Sequence, residues 1–249
     1  MKKVLLAVGF LVGSLLLSVG VFLGWALWIP SPMPEALEAM TSSETVEVRT
    51  EPTLTFLPKA GKPKAGVVIY PGARVDPRSY APLGRRLAEA GYLAAIPSVR
   101  LNMAVFEPDA AARVIAENPD IENWFAAGHS LGGTMAARFA EADPSRFRGV
   151  IFLGSYPLAA SHLKDSGLAV LSIYGTLDGV SQPREVRAAE LVLPANTVWV
   201  AIEGGNHAQF GYYGDQSGDN AAAISREEQQ RQTAEAIISF LGSLKPSRP

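Results

Sequence analysis

The chain contains no cysteine. That absence excludes a disulfide framework, a thiolate nucleophile and any cysteine-based zinc site, and it leaves the redox compartment open. Histidine is almost as scarce, with three in 249 residues, so chemistry that calls for an imidazole has few places to find one. Charge is thin as well: 18% of residues are charged, below the roughly 25% usual for soluble proteins. Lys2 and Lys3 are the only charges before Pro30. The 22 basic and 24 acidic residues form no block of either sign, so there is no row of cations to neutralise phosphates and no electrostatic case for nucleic acid as a partner. Internal repeats are absent too. What is present is apolar: 48% of residues are hydrophobic, enough at this length for a single domain with a sizeable core and too much for a disordered chain.

The apolar residues are concentrated first at the N-terminus. From residue 4 to 29 there is no charge, and at ~1.5 Å per residue this run makes about 39 Å of helix against a hydrocarbon core of ~30 Å. Lys2 and Lys3 belong on the cytoplasmic side of such a span, and Trp25 and Trp28 fall at the opposite interface. A cleaved signal peptide is the competing reading, because Gly24-Trp25-Ala26 resembles a small-x-small cleavage site. The run is longer than the ~7 to 15 residues of a signal core. It is also apolar on every face, unlike a core helix. Pro30, Pro32 and Pro34 end the helix. The chain therefore divides into a transmembrane anchor (or uncleaved signal) over 1–29, a linker over 30–44 that holds the rest off the membrane, and a domain over 45–249 outside the cytoplasm.

Within that domain two patterns follow one another. Residues 45–57 alternate β-branched and charged side chains, as half-exposed antiparallel edge strands do. Thereafter short apolar runs at 67–70, 93–96, 124–127, 150–153, 168–174 and 197–202 predict strands buried on both faces. Helix-like segments at 80–90, 108–118, 131–142, 184–193 and 225–244 separate or follow them. The alternation predicts a mostly parallel sheet with helices on both faces, whose ligands sit at the carboxyl ends of the strands. The 154–167 connection is too short for a separate cap domain.

The chemistry is concentrated at those strand ends. Gly128-His129-Ser130-Leu131-Gly132-Gly133 follows a strand and opens a helix, the setting in which a G-x-S-x-G turn exposes its serine. A serine hydroxyl is a weak nucleophile and needs a base. Of the three histidines, His129 lies in the turn itself, where its side chain should point away from Ser130 and pack or hydrogen-bond locally. His162 reads as a solvated loop residue. His207 follows a strand in a glycine-flexed loop at the carboxyl edge and is the candidate base. Asp178, in Tyr174-Gly175-Thr176-Leu177-Asp178-Gly179, leaves an earlier strand end and is the candidate orienting acid. Asp165 lies at the wrong edge, Asp215 and Asp219 come after the histidine, and Glu203 suits only a rearranged site. An oxyanion hole needs amide donors. Leu131 N–H supplies one, and Ala73 N–H, in Pro71-Gly72-Ala73-Arg74, is the candidate for the second with Gly72 as fallback. Residues 102–106 and 210–213 are expected to form the rim.

These pieces, PGARVDP, GHSLGG, YGTLDG and EGGNHAQFGYYGDQSGD, resemble the α/β-hydrolase superfamily, and within it the compact, cap-less, dienelactone-hydrolase-like serine hydrolases. The resemblance runs from about Gly66 to Leu241. The last block looks like a subgroup whose members often carry one N-terminal membrane segment. It implies the α/β-hydrolase fold, a Ser130, Asp178, His207 triad, and oxyanion amides from Leu131 and Ala73. Dienelactone hydrolases proper use a cysteine, so their lactone specificity does not carry over. The activity implied is hydrolysis of a small-molecule or lipid-like carboxylic ester through an acyl-enzyme, with no metal or cofactor required. Acyl transfer with the same triad, or an inactive membrane-tethered binding module, are the alternatives.

Overall fold

The computed structural model describes residues 2–244 of the chain. One sheet of eight strands organises it: β1 (Val46–Arg49), β2 (Leu54–Pro58), β3 (Gly66–Tyr70), β4 (Leu93–Ile96), β5 (Trp124–His129), β6 (Phe147–Leu153), β7 (Ala169–Gly175) and β8 (Val198–Ile202). The spatial order is β1-β2-β4-β3-β5-β6-β7-β8. The first two strands run antiparallel, with Leu54 opposite Ile96 at the β2–β4 junction. From β4 to β8 every pairing is parallel. This is the mixed sheet that the change of pattern after residue 57 implies.

Strand pleating sends alternate side chains to opposite faces, and each face is covered. Val67, Ile69, Phe125 and Ala127 point into a cluster with Leu83, Leu87, Ile237 and Phe240 from α3 (Ala81–Glu89) and α7 (Arg226–Ser243). Val68, Tyr70, Trp124 and Ala126 point the other way, to Val114 of α4 (Ala110–Glu117) and to Met135, Ala136 and Ala140 of α5 (Leu131–Ala142). Burying a large side chain such as Ile69 or Leu83 contributes ~1.5–3 kcal/mol, which is why these helices must present an apolar stripe. Ser225 caps α7, its hydroxyl accepting from Glu228 N at 3.1 Å. A shorter helix, α6 (Pro183–Ala188), lies between β7 and β8. The last strand departs from the expectation of two buried faces. β8 is the sheet's edge, with Val198 43% exposed, and an apolar run does not by itself reveal that no strand lies beyond it.

At the N-terminus α1 (Lys2–Leu27) is long and apolar enough to cross a membrane. Residues 30–44 are not a free tether. They contain helix α2 (Pro34–Glu38) with Ala36 fully buried, and Met33 N donates to Tyr212 O at 2.8 Å. The segment after α1 thus packs on the domain through α2 and Met33.

Candidate active site

The turn between β5 and α5 holds Ser130 at φ 53°, ψ −129°. A non-glycine residue at positive φ costs on the order of 1–3 kcal/mol and persists only where its surroundings over-determine it. Here they do. Ser130 N donates to Leu153 O at 3.1 Å, and its carbonyl accepts from Ser155 Oγ at 2.6 Å and Gly133 N at 3.0 Å. Gly128 and Gly132 make the turn possible by close approach. A Cβ at Gly128 would meet Gly133 N at 2.5 Å, and one at Gly132 would meet the Pro71 carbonyl carbon at 2.8 Å. The serine side chain is left half-exposed at the carboxyl edge, where the N-terminal end of α5 favours developing negative charge.

Asp178 and His207 arrive at the same edge from the ends of β7 and β8. The Asp178 carboxylate is fixed first. Its Oδ1 accepts from Val180 N at 2.9 Å and Ser181 N at 2.7 Å, and its Oδ2 lies 2.8 Å from His207 Nδ1. Both side chains are fully buried. A carboxylate only accepts, so Nδ1 carries the ring proton and Nε2 keeps its lone pair. Nε2 is buried and has no hydrogen-bond partner among the described residues, Ser130 Oγ included. Catalytic hydrogen bonds are often loose until substrate is bound.

The structure thus joins two of the three expected residues directly. It brings the third to the same edge through its neighbour, since the His207 ring lies 4.4 Å from that of His129. His129 hydrogen-bonds locally, as its place in the turn implies. It is buried beneath the site, with Nδ1 2.9 Å from Tyr80 Oη. That hydroxyl also accepts from Gly72 N at 2.9 Å, so one phenol ties the serine turn to the loop after β3. Burial holds His129 well below the usual histidine range, and the adjacent His207 lowers it further. Burial likewise raises Tyr80. The fallback oxyanion donor is removed by the same network, because Gly72 N–H is already engaged. The amides of Leu131 and Ala73 have no partner among the described residues.

Several residues that hold the site gave no motif. Asp219 ties the acid turn to the histidine loop, its Oδ1 accepting from Gly179 N at 2.9 Å and its Oδ2 from Ala208 N at 2.8 Å. Gln229 of α7 grips both backbone groups of Asn206, at 2.9 Å and 2.7 Å. Arg226 donates to the carbonyls of Ala208, Gly211 and Gly214 around the same loop, and burial lowers its pKa. Glu203, the rival carboxylate, is exposed, and so is His162. No cluster of three or more candidate metal ligands occurs among the described residues.

Residues 66–231 match the alpha/beta hydrolase family, a stretch that spans well over half of the chain and includes the serine turn, the acid turn and the histidine loop. The chain belongs to the alpha/beta hydrolase family. Solved structures agree on the fold. A predicted CIB-like hydrolase from Thermoplasma acidophilum superimposes with a TM-score of 0.56 at 14% identity, over 78% of this chain and 97% of its own. A putative dienelactone hydrolase from Klebsiella pneumoniae subsp. pneumoniae gives 0.58 at 18% identity, covering 77% and 92%. The esterase domain of a Rhodothermus marinus protein gives 0.58 at 11%, covering 76% and 90%. No curated protein matches this hydrolase.

Proposed function

We propose that this hydrolase cleaves carboxylic esters with Ser130 as nucleophile, His207 as general base and then acid, and Asp178 as the group that orients the imidazole. The observation that carries the reading is the buried 2.8 Å contact between Asp178 Oδ2 and His207 Nδ1. It fixes the tautomer in which Nε2 accepts a proton. Ser130 Oγ adds to the ester carbonyl carbon while its proton passes to Nε2. The carbonyl oxygen becomes an oxyanion held by the Leu131 and Ala73 amides. The carbon–oxygen bond to the leaving alcohol then breaks, and the imidazolium gives the alcohol its proton. Water adds to the acyl-enzyme, losing a proton to Nε2, and the acid product leaves as Ser130 regains its hydrogen. Each step draws only on these side chains, the two amides and water.

In this reading α1 is retained as a single-pass anchor, with Lys2 and Lys3 on the cytoplasmic side and the catalytic domain on the other. The test of the chemistry uses the full chain in detergent micelles with a fluorophosphonate probe. The wild-type chain labels and Ser130→Ala does not, and turnover of p-nitrophenyl esters falls by as much as about 10⁶-fold in the variant. Equal labelling of both chains refutes the assignment. Protease added to intact cells digests the 45–249 domain if the orientation is right.

A further inference from the structure

The C-terminal end of α1 and the oxyanion loop are built as one unit. The last carbonyls of a helix have no partner within it, and at the end of α1 the domain supplies them. Arg74, adjacent to Ala73, donates from Nε to Trp25 O and from Nη2 to Trp28 O, both at 2.9 Å, and its guanidinium lies 4.3 Å from the centre of the Trp25 ring. Asn102 Nδ2 donates to Ala26 O at 3.2 Å, and Asn102 O accepts from Arg74 N at 2.7 Å. Ala26 is fully buried as a result. Apart from Ser130, the described non-glycine residues at positive φ are Arg74, Leu101 and Asn102, all at this junction. Strain of this kind gathers at functional sites.

Two further observations say what the junction is for. A cavity of about 620 Å³ lies between Trp28, Ile29 and Pro30 on one side and Ala73, Arg74 and Tyr213 on others, within the range of small-molecule sites. Residues just beyond the end of α1 thus share the cavity's lining with Ala73, the candidate oxyanion donor, and with the polar Asp215 and Gln216. Second, Phe106 packs edge-on against Phe22 with ring centroids 6.3 Å apart. Phe22 precedes Trp25 by three residues, so it lies about 4.5 Å further toward the membrane at ~1.5 Å per residue. Tryptophans mark the headgroup level of a spanning helix. The turn carrying Val105 and Phe106, each exposed by over two-fifths, therefore reaches at least that level.

We infer that the site opens onto the bilayer surface, and that its substrate is an amphiphilic ester resident in the leaflet reached by the end of α1. The acyl chain remains among the lipids, and the ester group enters the cavity between Trp28 and Ala73. This rests on the ester-hydrolase reading and on retention of α1. An apolar rim continuous with a spanning helix is what a lipid surface covers, and it is superfluous for a substrate arriving from water.

The test uses the full chain in lipid nanodiscs with two esters: water-soluble p-nitrophenyl butyrate, and an oleoyl ester of 4-methylumbelliferone dissolved in the nanodisc lipid. In Phe106→Asp, the ratio of kcat/KM for the lipid-borne ester to that for the soluble one falls at least tenfold. A ratio unchanged within twofold overturns the inference, and so does a wild-type chain that cleaves only the soluble ester, although the ester-hydrolase reading survives both. A wild-type chain that cleaves neither ester removes that reading and this inference with it. A second measurement does not depend on activity. Because the chain lacks cysteine, Phe106→Cys and Lys62→Cys, the latter on an exposed turn preceding β3 at the opposite edge of the sheet, can each carry a single environment-sensitive dye. Lipid-borne quenchers dim the dye at 106 at least twofold more than at 62, and equal quenching overturns the inference.

Discussion

Adding one methyl group at Gly132 tests whether the serine turn and the oxyanion loop are packed as the structure describes. An alanine Cβ there would stand 2.8 Å from the carbonyl carbon of Pro71 and nearer still to the carbonyl oxygens of Tyr70 and Pro71, whereas ordinary contact begins at 3.4 Å. All three atoms are backbone, at the end of a buried central strand, so no side chain can swing aside. The loop must retreat by about 0.6 Å from the carbon and by close to 1 Å from the oxygens, and Ala73 travels with it. Overpacking of this kind costs about 1–3 kcal/mol, which lowers Tm by roughly 2–12 °C in a domain of this size. A displacement near 1 Å in a group that binds the transition state costs about 100-fold in rate. The loss should fall on kcat, since the oxyanion exists only after attack. Scanning calorimetry and p-nitrophenyl ester kinetics on the full chain in detergent measure both effects. Gly242→Ala is the control, because in exposed helix its nearest neighbour beyond the helix is 4.0 Å away, and alanine there stabilises by up to about 1 kcal/mol. Gly132→Ala with kcat within twofold of wild type and an unaltered Tm refutes the packing argument.

Asp178→Asn keeps the shape of the turn but presents an amide to His207 Nδ1, which favours the wrong tautomer. Pre-steady-state acylation should slow by about 10⁴-fold, and a loss below tenfold contradicts the orienting role. His129 is held neutral when folded and protonates in the unfolded chain near its ordinary value of 6.5. Its contribution to stability is therefore complete above that pH and declines as pH falls below it, by on the order of 1 kcal/mol at pH 5.5. Denaturant midpoints at pH 7.5 and 5.5 should show this extra loss in wild type and not in His129→Gln, and equal losses in the two chains rule out a buried neutral ring. Arg226→Ala should destabilise the chain by about 2–3 kcal/mol, the scale of hydrogen bonds from a charged donor, and lower kcat by loosening the histidine loop. Arg226→Lys should rescue little of either, because an ammonium cannot span three carbonyls as the planar guanidinium does. Urea unfolding and steady-state kinetics on the three chains decide it.

The parts of the fold that were legible in the sequence are those whose signal is local. Val67 to Tyr70 and Trp124 to Ala127 are apolar without interruption because both faces of a central strand are buried, and Ser130 stands out because its two flanking glycines sit between such a strand and a helix. Asp178 and His207 are singled out by position, as polar residues that leave later strand ends. What stayed hidden depends on partners distant along the chain. Tyr80 and His129 are 49 residues apart, and no pattern near either announces their bond. Asp219 was set aside because it follows the histidine, an argument that holds for an orienting acid and says nothing of a strut between two loops. Gln229 and Arg226 lie on a helix that reads from the sequence only as a helix-like segment over 225–244. Residues 30–44 show a helix break through their prolines, yet the burial of Ala36 depends on a surface formed by other elements.

The grip of α7 on the histidine loop has a temporal meaning. Gln229 and Arg226 follow the histidine loop in the chain, so during synthesis that loop is made while only earlier partners such as Asp178 can hold it. Docking of α7 is thus the step that completes the support of His207.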